Sequence, residues 1–192
     1  MKIKPNFRKL FGFTLIEMLV TMGVLTLLTS MVLVYSRQGE SLSNLIRDSD
    51  RLVFNLNQAK NLSLLTLHQG DSRNICGWGI HFDSNNSYKI FHDYCNGGTG
   101  DQQYNPGEET ETITLLKGIE IFKWNVDDVI FIPPEPRVKF TNFKADGEED
   151  DNASAFIRMR LIGDKSKPYY RIRINLAGQI SKQLKDSSSD KK

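Results

Sequence analysis

The chain has 192 residues and a formal net charge of +2. That length allows one domain with its own core plus an appendage, and so small a charge argues against a polyanion binder defined by overall basicity. The two cysteines, Cys76 and Cys95, fit no zinc spacing.

Residues 1–12 read as a basic leader, with Lys2, Lys4, Arg8 and Lys9 and no acid, which leaves the remainder net negative. From Phe13 to Ser36 the only charge is Glu17. Some 23 residues at about 1.5 Å each give roughly 35 Å, enough to cross a hydrocarbon core of about 30 Å. The span 13–36 therefore predicts a single transmembrane helix. The basic flank is expected to stay in the cytoplasm, with everything after Arg37 outside the membrane. A secretory signal predicts a shorter apolar run and a small-x-small cleavage site, which "VYSRQGES" does not supply. A plain signal anchor explains the lysines and the span but not Glu17. Its acidic cousin Asp costs about 2.5–3.5 kcal/mol at a helix centre.

The string Gly12-Phe13-Thr14-Leu15-Ile16-Glu17, after a basic leader and before an apolar helix, resembles the processing signal of type IV pilins and pseudopilins. That resemblance implies a cut by the prepilin peptidase between Gly12 and Phe13, N-methylation of Phe13, and assembly through the apolar helix. It implies as partners other pilin or pseudopilin subunits, the peptidase and methyltransferase, an inner-membrane assembly platform and membrane lipid. It also gives Glu17 a counter-ion. The new α-amine has an ordinary pKa of about 7.7–8.0, and in the family the glutamate is thought to pair with the N-terminus of a neighbouring subunit. A partner charge offsets the cost of a lone carboxylate in apolar surroundings.

Residues 37–67 continue the helical pattern. Leu42, Leu45, Ile46, Leu52, Val53, Leu56, Ala59 and Leu62 recur at three- and four-residue steps, predicting an amphipathic stripe laid on a globular head. Residues 68–185 read as β: "GWGIHF", "YKIFHDY", "TITLLK", "IEIFKW", "VIFI", "RVKFTNF", "SAFIRMRLI", "YYRIRINL" and "QISKQL" are short and bounded by turn residues. Residues 186–192 form a polar tail, expected to be disordered. The expected fold class is α+β, a long N-terminal helix packed on an antiparallel sheet or sandwich. The strand order is similar to that of H-type minor pseudopilins of type II secretion and their minor-pilin relatives.

Three constellations stand out in the head. Cys76 and Cys95 bracket a hairpin, and the outward topology favours a disulfide over two buried thiols. Direct pairing of the cysteines, however, sets Trp78 and Ile80 against Asp93 and Phe91; facing Ile80 with Ile90 requires a bulge or a slip. The loop "DYCNGGTGDQQYNPGEE" offers Asp101, Asn105 and Glu108 as calcium ligands, but its spacing is not that of an EF-hand, and a solvated loop is expected instead. Arg158 with Arg160, and Arg171 with Arg173, share strand faces, so a hairpin would cluster four guanidinium groups. Like charges facing one another need a counter-charge. The acidic "DGEEDD" loop is favoured for that role over an outside anion such as DNA, which some minor pilins bind. Lys182 and Lys185 would extend such a surface.

Neither a nucleophile motif nor a glycine-rich phosphate loop is present, so no enzyme activity and no cofactor are expected. His68, His81 and His92 are expected to be strand-surface residues. The combined reading is a minor pilin or pseudopilin of a type IV pilus or type II secretion system. The alternatives are a DNA-binding minor pilin and an anchored β domain that never polymerises.

Overall fold

The computed structural model describes residues 12–66, 75–95, 100–134, 137–144, 154–163 and 168–186. The basic leader, the "HQGDSRN" turn, the "DGEEDD" and "GDKSKP" loops and the tail lie wholly or largely outside the described residues. The fold is α+β. Helix α1 runs Leu15–Thr66 and is followed by β1 Ile75–His81, β2 Ser87–Tyr94, β3 Glu109–Thr114, β4 Ile119–Trp124 and β5 Asp128–Ile132. Then come β6 Arg137–Thr141, β7 Ser154–Leu161, β8 Tyr169–Asn175 and β9 Ile180–Lys185. The chain divides into two compact units, Met1–Glu40 and Ser41–Lys192.

In the second unit the strands form two antiparallel sheets, ordered β3-β2-β1-β5-β6 and β4-β7-β8-β9. Leu45, Leu52, Leu56 and Ala59 of α1 join one core with Ile80, Ile90, Val129 and Phe131 of the first sheet and Ile121, Ile157, Met159 and Ile172 of the second. The helical spacing of those four residues puts them on one stripe. Leu42 and Ile46, read with that stripe, are instead exposed, because they sit toward the flank of the helix face that meets the sheets.

Polar side chains tie the helix to both sheets. Asp48 accepts the Leu116 amide at 2.7 Å, and Asn55 donates to the Tyr88 hydroxyl at 2.8 Å. Lys60 donates to the Gly178 carbonyl at 2.9 Å, and Lys182 pairs with Asp50. Burial pushes the Asp48 carboxyl up, with the Leu116 amide and then Arg51 and Arg47 opposing it.

The hairpin of β1 and β2 resolves the conflict between disulfide and register. Ile80 faces Ile90 and Gly77 faces Asp93, while Ile75 faces Tyr94, so the register shifts at Cys76. This one-residue bulge lets the apolar pairs meet while Cys76 and Cys95 close a disulfide, Cα to Cα 5.2 Å. The cysteines are 19 residues apart, and loop-closure entropy gives such a link about 3 kcal/mol. The double variant Cys76→Ser, Cys95→Ser is therefore expected to lose about that much head stability, read as a lower denaturation midpoint of the full chain in detergent. An unchanged midpoint would show that the link does not constrain the unfolded chain.

Candidate processing and assembly site

The first turn of α1 is built by Thr14 and Glu17. The Thr14 hydroxyl oxygen accepts the Glu17 amide at 3.3 Å, and the Thr14 carbonyl accepts the Met18 amide at 3.2 Å. Thr14 is thus the N-cap and Glu17 the third helical residue, the T-x-x-E arrangement of a capping box. An acid in this position also faces the positive end of the helix dipole. Gly12 and Phe13 precede the cap, and Phe13 is 74% exposed. Among the described residues a Cβ at Gly12 would meet no atom within 4 Å, so packing against them does not require glycine there.

Beyond the cap, Leu15–Val32 is an 18-residue stretch of mean hydropathy 1.9, long and apolar enough to cross a membrane. Every large apolar side chain in it is at least half exposed, on all sides of the helix. A helix apolar all round needs lipid or other protein about it. The hydroxyls of Thr21, Thr26, Thr29 and Ser30 donate to the carbonyls of Met18, Gly23, Leu25 and Leu27 at 2.6–3.0 Å. Polar groups satisfied within the helix are what a hydrocarbon environment demands.

The other sequence-flagged residues form no open site. Asp101 accepts from the Gln103 amide at 3.1 Å and from Asn105 Nδ2 at 2.8 Å, while Glu108 accepts the Asn105 amide at 2.8 Å. These contacts shape the segment. Among the described residues no three His, Cys, Asp or Glu side chains gather to hold a metal ion. The four arginines do lie on one face of the β7–β8 hairpin, with Arg158 opposite Arg171. They do not make a common exposed patch, because Arg158 is only 2% exposed. Its guanidinium lies over the Phe156 ring at 4.9 Å, as that of Arg171 does at 5.0 Å. Arg160 meets Glu120 at 2.7 Å and stacks on Phe122 at 4.3 Å. Among the described residues, cation–π contacts and the Arg160–Glu120 ion pair offset part of the like charge, and the "DGEEDD" loop expected to face the arginines lies outside the described residues.

Sequence reasoning overlooked a second polar centre on the face of the five-stranded sheet turned away from the core. Asp128 binds His81 Nδ1 at 2.6 Å, the Thr141 hydroxyl at 2.5 Å and the Tyr104 amide at 3.3 Å. Burial raises the Asp128 carboxyl, but those hydrogen bonds outweigh it and hold the group below the usual range. His81 is half-buried under the Tyr104 ring, centroids 4.2 Å apart, and not a plain surface residue. The pairing register of distant strands creates this centre, and no local pattern announces it. The capping box was not read either, although "TLIE" carries its local signal.

The apolar stretch Leu15–Val32 with its capped, acid-bearing start, and the α+β head that follows it in the chain, are consistent with a membrane-anchored pilin. The model of the prokaryotic N-terminal methylation motif matches residues 8–33, a motif that indicates type IV pilin-like proteins. The motif implies processing by the prepilin peptidase and assembly with other pilin subunits, in keeping with a structural and not an enzymatic family. No curated protein and no solved structure matches the chain.

Proposed function

We propose that the chain is a minor pilin or pseudopilin, cut between Gly12 and Phe13, N-methylated at Phe13 and packed by its apolar helix into a filament or filament tip. The observation that carries this reading is the placement of Glu17 in the first turn of an apolar stretch, Leu15–Val32, whose large side chains are at least half exposed. Among the described residues nothing demands Gly12, which supports a demand from outside, a peptidase that approaches the backbone closely. Cleavage leaves an ammonium on Phe13 next to the positive end of the helix. That arrangement is unfavourable in apolar surroundings. The Glu17 carboxylate of a neighbouring copy or related subunit neutralises it and sets the axial register of the incoming helix. The head stays outside the cytoplasm, where the Cys76–Cys95 bridge is stable.

The reading is tested by shearing cells and fractionating the released filaments from the membranes. Processed chain is expected in the filament fraction, or in a complex with other subunits extracted from the inner membrane. A chain found wholly as an uncomplexed membrane monomer, whatever the state of the assembly machinery, would favour an anchored β domain that never polymerises.

A further inference from the structure

Between the disulfide and β3, residues 100–108 cross the face of the five-stranded sheet that bears Gly77, Gly79, Phe91 and Asp93. Asp93 lies beneath this crossing and is 1% exposed. A Cβ on Gly100 would come 1.9 Å from Asp93 Oδ2, so the backbone passes directly over the carboxyl. The Gln102 amide donates to Oδ2 at 3.1 Å, with Gln102 held at φ 59°, a left-handed conformation costly for a residue with a side chain. Among the described residues Oδ1 has no hydrogen-bond partner. What stands within hydrogen-bonding reach is the Asp101 carboxyl, with Glu108 also near. Two carboxylates facing each other are acceptor against acceptor, and something positive must lie between them.

We propose that Asp93 and Asp101 share one proton, and that this proton holds residues 100–108 closed over the sheet as a pH-sensitive clasp. Among the described residues, charged neighbours of the crossing are engaged elsewhere. Lys89 on β2 pairs with Asp83 at 2.9 Å, His81 on β1 with Asp128 on β5, and Glu109 at the start of β3 accepts from the Tyr104 hydroxyl and the Gly107 amide. None of them turns a cation toward Asp93. Burial, the carboxylates of Asp101 and Glu108, and the Asp101 hydrogen bond push Asp93 up to about 6 from the ordinary 3.8, against the Gln102 amide. Between those values the open form gives up a proton that the closed form keeps. Closure thus weakens as pH rises and levels off above about 6. Opening uncovers Phe91, on which the Tyr104 ring packs edge-on at 5.4 Å, while the Cys76–Cys95 bridge confines the movement to the segment.

The test is a carboxyl-carbon NMR titration of the full chain in detergent micelles, with hydrogen exchange of the Gln102 and Tyr104 amides corrected for intrinsic rate. Asp93 is expected to titrate near 6, and the opening constant of the two amides to rise by roughly a hundredfold across the same range. Asp93→Asn is expected to remove that pH dependence, and Asp101→Asn to bring the Asp93 midpoint below about 5. A wild-type midpoint below about 4.5, or the same pH dependence in Asp93→Asn, would overturn the shared proton. So would protection at pH 8 restored by calcium chloride, which would assign the gap to a cation.

Discussion

A Glu17→Gln chain is expected to insert, to be cut after Gly12 and to be methylated, yet to stay out of filaments. Glutamine at the third helical position still completes a capping box with Thr14 and is nearly as good a helix former as glutamate. The substitution therefore removes charge and leaves the helix in place. With the carboxylate gone, the Phe13 ammonium of the neighbouring subunit is buried unpaired, a loss of about 3–5 kcal/mol. Since about 1.4 kcal/mol is a factor of ten, incorporation into sheared filaments should fall by two orders of magnitude or more. Thr14→Ala provides the contrast, because it removes the cap and costs about 1 kcal/mol. It should reduce incorporation only modestly. Incorporation of Glu17→Gln no lower than that of Thr14→Ala would show that the carboxylate charge does not dock the subunit.

Leu56→Ala is expected to destabilise the head by about 2–5 kcal/mol. Leu56 is 0% exposed and lies in the stripe of α1 that belongs to the common core of both sheets. Neighbouring side chains from two sheets cannot collapse together into the space it leaves, so the cavity cost adds to the lost burial. Phe54, on the same helix but 66% exposed, is the control, and alanine there should leave head stability within about 0.5 kcal/mol of wild type. Denaturant midpoints of the full chain in detergent separate the two. Equal sensitivity of Leu56 and Phe54 would mean that α1 does not pack on the head as described.

The nine strands could be read from their alternation and their turn residues, and "IEIFKW" coincides with Ile119–Trp124. The boundary of β3 was harder, because the strand runs Glu109–Thr114 and buries only Ile113. At a sheet edge charged and polar side chains suffice, and "ETET" shows no apolar period. Strand allocation was not legible either: β4 pairs with β7, whereas β5 returns to pair with β1. Those pairings are made between residues far apart in sequence. At the hairpin the two competing registers were both visible, but the bulge at Cys76 that reconciles them has no local signal. The arginines on β7 and β8 read as a surface because charge usually is one. Phe156 and Tyr169 on the same face turn Arg158 into a buried member of an aromatic stack. The segment carrying Asp101 and Glu108 read as a solvated loop for the same reason. Its backbone amides, which composition does not reveal, are what fold it onto Asp93 and Asp128.

The assembly account depends on an amine created at residue 13, and the mass of the N-terminal peptide from membrane-extracted protein tests that most directly. The expected peptide begins at Phe13 and carries one added methyl group on its amine. A peptide that still holds Lys9-Leu10-Phe11-Gly12 in cells with an active prepilin peptidase would contradict the account, since Glu17 would then have no adjoining N-terminus to meet.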